Sequence, residues 1–144
     1  MGQWHCRARQ DRPAVSAVFD TSVLVDYLRG SKQANAVFTQ FPHRSITVTT
    51  WIEVMAAAPV SLGAPTRDFL RAFERLAINE AIADRALALM QLHRELGIRH
   101  ALPWATAQVN TLLYVTADFP KLATRDPSVR VPYLAHRKEV LRSG

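Results

Sequence analysis

Three acidic residues stand where strand-like runs give way to helices or turns. Asp20 follows the apolar, β-favouring Val15, Val18 and Phe19. Glu53 comes just after the run SITVT at 45–49, and Asp118 lies two residues past Thr116, the end of LLYVT. In a parallel sheet the carboxyl ends of all strands share one edge, so acids far apart in sequence would meet in one crevice. Clustered carboxylates repel unless a cation sits among them, and their oxygens together with water suit Mg²⁺ or Mn²⁺. Such ions activate water and stabilise charge on a phosphate during phosphodiester cleavage.

Each acid also has a local explanation. Asp20 would cap the helix that begins at Thr21, Glu53 would complete a capping box with Thr50, and Asp118 would serve a turn. Thr21, Ser22 and Thr116 are candidate accessory hydroxyls at the same place, or caps of helix and turn. Asp26, one turn further along, has solvent or Arg29 as its expected neighbour, and His93 and Trp104 read as packing or surface residues.

The elements that must position these groups alternate. A strand ends at Phe19, and Val23, Leu24, Tyr27 and Leu28 then recur at helical spacing until Gly30 stops the helix. Ala34, Val37, Phe38 and Phe41 mark a short amphipathic helix ended by Pro42. A strand over 45–49 leads to a helix from about Thr50 with Trp51, Val54, Met55 and Ala58 inward. Pro59 to Pro65 is breaker-rich. A helix is expected over 66–76 on Phe69, Leu70, Phe73 and Leu76, then a brief strand at Ala77 and Ile78. A long helix over 80–96 is closed by Gly97, and another spans 100–111 with Pro103 tolerated in its first turn. Strands at 112–116 and 129–131 complete the chain. The alternation predicts an α/β fold: a three-layer α/β/α sandwich around a central, mostly parallel sheet of four or five strands.

At 144 residues the chain suits one domain, and its 49% apolar content suits a globular core. No apolar run approaches membrane-spanning length, so no membrane partner is expected. Cys6 is the single cysteine, which excludes an internal disulfide and a cysteine metal cluster; with no secretory signal pattern, a cytoplasmic location is expected. Residues 1–14 carry a net charge of +2 and 121–144 carry +4, while 15–120 are neutral. Residues 1–14 lack periodicity and are expected to be a flexible basic extension, ahead of a domain over 15–133 and a basic tail over 134–144. Basic ends suit a polyanionic partner such as RNA, or a solvated or partner-docking surface.

Four segments in order, AVFDTSVLVDYLRG at 17–30, TVTTWIEV at 47–54, RHALPWATA at 99–107 and LYVTADFP at 113–120, resemble the landmarks of PIN-domain nucleases, in particular VapC-type toxin ribonucleases. The resemblance spans about residues 15–133. It implies a metal-dependent ribonuclease, the toxin of a type II toxin–antitoxin pair, with Asp20, Glu53 and Asp118 as catalytic metal ligands. It further implies a homodimer and a protein antitoxin that blocks the site, for which the apolar helix faces at 33–41 and 66–76 are candidate contacts unless core packing claims them.

Two departures from the pattern matter. His100 stands where the family usually has its third metal-binding aspartate. A neutral imidazole brings no negative charge, which weakens Mg²⁺ binding and shifts preference toward Mn²⁺ or Zn²⁺. Protonated, it would hold a carboxylate or a phosphate; otherwise it caps its helix. In TADF, Asp118 also runs straight into the following aspartate–phenylalanine landmark without the usual spacer. The competing reading is therefore an inert PIN-like module that binds RNA or a partner. A phosphatase with Asp20 as nucleophile is disfavoured, because Ser22 cannot act as the acid that protonates the leaving group.

Overall fold

The computed structural model describes residues 16–118 and 125–134. The extension at 1–14, all of the 134–144 tail except its first residue, and Val15, Phe119 and Lys121 lie outside them. The elements run β1 (Ser16–Phe19), α1 (Thr21–Leu28), α2 (Lys32–Gln40), β2 (His43–Thr47), α3 (Val48–Ala57), a 3₁₀ turn (Val60–Leu62), α4 (Gly63–Leu70), β3 (Glu74–Leu76), α5 (Glu80–Leu92), α6 (Ile98–Val109), β4 (Leu113–Val115) and β5 (Val129–Arg130). The five strands form one sheet in the order β3-β2-β1-β4-β5, and every pairing is parallel.

Parallel pairing requires both faces of the sheet to be covered, and β1 shows how the chain achieves this. Ala17 and Phe19 point into a core with residues of α1, α2, α3 and α4, whereas Val18 points into a second core with residues of α5 and α6. In the first core Phe19 meets Phe38, Phe41 and Phe73 at ring-centroid distances of 5.1, 6.0 and 5.9 Å, and Tyr27 stacks on Phe69 at 5.1 Å. Val37, Phe38, Leu70 and Phe73, on the helix faces considered as partner contacts, are buried here and belong to the core. The sequence reading thus finds its three-layer sandwich, with five strands, all of them parallel.

Several boundaries differ from expectation. Strand β2 stops at Thr47, whose hydroxyl accepts the Thr50 amide at 3.2 Å and caps α3; Thr50 lies inside the helix, so Glu53 is not half of a Thr50 capping box. The pattern read as a helix over 66–76 is α4 followed by a turn and β3, and Ala77 and Ile78 follow that strand. Phe69, Leu70 and Phe73 enter one core from both sides of the turn, which imitates helical spacing. Helix α5 ends at Leu92, not 96, and Gly97 is the N-cap of α6. Pro103 therefore falls beyond the first turn of α6, where its missing amide hydrogen forfeits the bond to the Arg99 carbonyl. Asp26 accepts from the Tyr133 hydroxyl at 2.8 Å, in place of solvent or Arg29. Trp104 is fully buried and donates its indole N–H to Ser128 Oγ at 2.9 Å. No helix among the described residues is long and apolar enough to cross a membrane.

Candidate functional site

Asp20 leaves β1 in extended conformation (φ −77°, ψ 154°) and caps α1. Its amide donates to the Val115 carbonyl at 2.8 Å, which ties the end of β1 to the end of β4. Only 1% of the residue is exposed. A buried carboxylate needs hydrogen-bond donors, and two hydroxyls supply them on one oxygen. Ser22 Oγ donates to Asp20 Oδ2 at 2.6 Å and Thr116 Oγ1 donates to the same atom at 2.9 Å. Each hydroxyl also accepts a backbone amide from the segment after β4, Ala117 to Ser22 at 3.0 Å and Asp118 to Thr116 at 3.1 Å. The three side chains therefore fasten the carboxyl ends of β1 and β4 together and fix where Asp118 emerges.

The other oxygen of Asp20 faces α6. His100 Nδ1 lies 3.9 Å from Asp20 Oδ1 and 3.0 Å from the Tyr114 hydroxyl. Burial, reinforced by the charge of Asp20 and a hydrogen bond to it, pushes the Tyr114 phenol well above its ordinary pKa, against smaller opposing effects of Thr116 and Arg99. Tyr114 thus stays protonated at neutral pH and remains a hydrogen-bond donor inside the site. Glu53, in the middle of α3, is paired with Arg99 Nε at 2.9 Å; the Arg99 side chain is 45% exposed and that of Glu53 33%. Asp118 is exposed at the same sheet edge. Thr21 is buried beside Asp20, and its Oγ1 has no hydrogen-bond partner among the described residues.

The structure brings Asp20, Ser22, Thr116 and His100 into direct or near contact, places Glu53 against the residue that precedes His100, and sets Asp118 at the rim. Among the described residues no three His, Cys, Asp or Glu side chains form a group ready to hold a metal ion. In chemical kind the donors nevertheless fit a small divalent ion. They are hard carboxylate oxygens, one of the carboxylates buried, a buried hydroxyl without a hydrogen-bond partner among the described residues, and one imidazole. Recruiting Glu53 requires it to leave Arg99. Sequence reasoning missed Tyr114 and Arg99. Tyr114 sits within an apolar strand where it reads as packing, and the signal for Arg99 was its place beside His100 at the start of α6.

No protein-family model matches the chain and no curated protein sequence matches it. Solved structures do. A toxin–antitoxin complex from Klebsiella pneumoniae contains a chain 33% identical to this one, with a TM-score of 0.77 over 83% of this chain and 99% of that chain. A member of the VapBC family of toxin–antitoxin systems from Mycobacterium tuberculosis, VapBC-5, is 25% identical with a TM-score of 0.61, covering 82% of this chain and 97% of its own. FitAcB from Neisseria gonorrhoeae, at 18% identity and a TM-score of 0.67 over 81% and 97% of the two chains, shares the fold. With an α/β/α fold around a parallel sheet, a buried aspartate at the end of its first strand and a third of its residues in common with the Klebsiella chain over nearly all of that chain's length, the protein belongs to the VapC-like family of PIN-domain toxins.

Proposed function

We propose that this chain is the toxin of a type II toxin–antitoxin pair and acts in the cytoplasm as a metal-dependent endoribonuclease, held in check by a cognate protein antitoxin and working as a homodimer. The observation that carries the reading is the Asp20 carboxylate. It is buried, held on one oxygen by Ser22 and Thr116, and has its other oxygen 3.9 Å from His100 Nδ1, on the helix whose Arg99 pairs with Glu53. Its likeness to chains of toxin–antitoxin complexes supports the partner.

Asp20, Glu53 and Asp118 would hold Mg²⁺ or Mn²⁺, with His100 as a fourth ligand that favours Mn²⁺. When bound, a divalent cation would supply charge neutralisation at the scissile phosphate and ease deprotonation of the attacking water. The chain's own groups do the rest. Ser22 and Thr116 keep Asp20 in one orientation, so its carboxylate need not reorganise. Tyr114, held protonated, donates within the site and keeps the His100 ring in place. Arg99, once it releases Glu53, offers a guanidinium fork suited to a phosphate oxygen pair.

The test is cleavage of structured RNA with Mg²⁺ or Mn²⁺ by wild type, Asp20→Asn and His100→Asp. Wild type is expected to cleave, better with Mn²⁺, and Asp20→Asn to lose at least about a hundredfold in rate. No cleavage by wild type with either ion sinks the nuclease reading. If His100→Asp then gains cleavage, the chain is the inert RNA- or partner-binding module, which the Glu53–Arg99 pair and the substitution at His100 favour.

A further inference from the structure

A second cluster lies away from these acids. A cavity of about 230 Å³ is lined by Trp51, Arg67, Leu70, Arg71, Phe73 and Arg75. Trp51 is on α3, two residues before Glu53, while Arg67 comes from α4 and Arg75 from β3. The guanidinium carbons of Arg67 and Arg75 each lie 5.1 Å from the centroid of the Trp51 ring. Arg71 is paired with Asp68 at 3.0 Å, but among the described residues neither the Arg67 nor the Arg75 guanidinium makes a hydrogen bond or ion pair.

Stacking on an indole is favourable for one guanidinium. Two on the same ring also repel each other, and nothing acidic in the cavity lining offsets that. An anion seated in the cavity that both arginines line relieves the repulsion and accepts from their N–H groups, and a phosphate diester, with two non-bridging oxygens, suits guanidinium forks. The indole keeps both forks from collapsing into solvent, so little side-chain freedom is lost on binding. An aromatic ring among arginines is also the composition of surfaces that track single-stranded nucleic acid.

We propose that the cavity between Trp51, Arg67 and Arg75 is a phosphate subsite that grips the backbone of single-stranded RNA away from the scissile bond. The RNA as occupant rests on the ribonuclease reading; the anion site itself rests on the two guanidiniums stacked on Trp51, which have no acidic partner among the described residues. Glu53 and Trp51 share one helix, so a strand held in the cavity is anchored to the element that carries a site acid.

The experiment is a titration of a short labelled single-stranded RNA, followed by fluorescence anisotropy in EDTA at several salt concentrations. Wild type is compared with a double variant carrying R67Q and R75Q and with one carrying R67K and R75K. The glutamine variant should bind about tenfold more weakly at low salt. The slope of log affinity against log salt should become shallower by about 0.7, the value for one phosphate contact on a single strand. The lysine variant should keep the slope and lose part of the affinity. Thermal melting of each variant checks that it is folded. Affinity and slope within twofold of wild type for a folded glutamine variant overturn the proposal, as does wild type that binds no RNA. A polyglutamate peptide of matched charge that displaces the RNA at equal concentration overturns it in favour of an acidic protein partner. Cleavage with Mn²⁺, measured separately, keeps the two readings apart. Wild type that binds through these arginines but never cleaves retains the subsite and loses the nuclease. Wild type that cleaves while the glutamine variant binds normally does the reverse.

Discussion

Arg99→Gln probes the competition on which metal loading would depend under the proposed function. In the structure Glu53 is held by a guanidinium at 2.9 Å, so a cation that recruits Glu53 must first break that pair. With the side chains 45% and 33% exposed, solvent screens the attraction, and the pair is worth roughly 0.2–1 kcal/mol. At 1.4 kcal/mol per factor of ten, releasing Glu53 in advance should tighten Mn²⁺ binding by up to about fivefold. Removal of a positive charge beside the site acts in the same direction. Global stability should fall by less than about 1 kcal/mol, because an exposed pair contributes no more than that. The assay is calorimetric titration of Mn²⁺ into wild type and Arg99→Gln, with thermal melts alongside. If the folded variant binds Mn²⁺ no more tightly than wild type, Arg99 is not competing for Glu53 and the assignment of Glu53 as a metal ligand fails.

Two other substitutions test the frame around Asp20. Ser22→Ala removes a hydrogen bond to a buried carboxylate and leaves the Ala117 amide without its acceptor, which should cost about 2–4 kcal/mol. Urea unfolding should show the midpoint falling by about 1–2 M at an ordinary slope; a loss under about 0.5 kcal/mol would mean that Ser22 does not hold the site together. Tyr114 tests the alkaline side. Its phenol is pushed up by burial and by Asp20, so the folded state retains a proton that the unfolded chain gives up above about pH 10. The associated stability is fully present below that pH and declines as pH rises toward the folded pKa, by about 1.4 kcal/mol per pH unit. Tyr114→Phe should flatten this decline in alkaline denaturation curves, and an unchanged slope would locate the loss elsewhere.

What the sequence disclosed was whatever is decided locally. Asp20 is legible because a capping residue and an extended strand need only a few neighbours, and β1, β2 and β4 are legible from short apolar or β-branched runs. The stretch 66–76 misleads because Phe69 and Leu70 of the helix and Phe73 of the turn that follows enter one core, so period alone cannot locate the break. Thr47 rather than Thr50 caps α3 because β2 already ends there, opposite Leu76 of β3, a fact of register that no three-threonine run reveals.

The partners of the candidate site are a different kind of information. Nothing in TVTTWIEV says that Glu53 will meet a guanidinium, and nothing in LYVT says that a strand tyrosine will reach across to His100. Both depend on where α6 crosses the sheet edge. That crossing places Arg99 and His100, two consecutive residues, against two different acids, with Arg99 on Glu53 and His100 facing Asp20. One helical turn thus sets a guanidinium against an acid of α3 and an imidazole near the acid that follows β1. The site of this chain is accordingly less purely anionic than a cluster of carboxylates alone, and under the proposed function α6 would weigh on its affinity for a cation alongside the acids themselves.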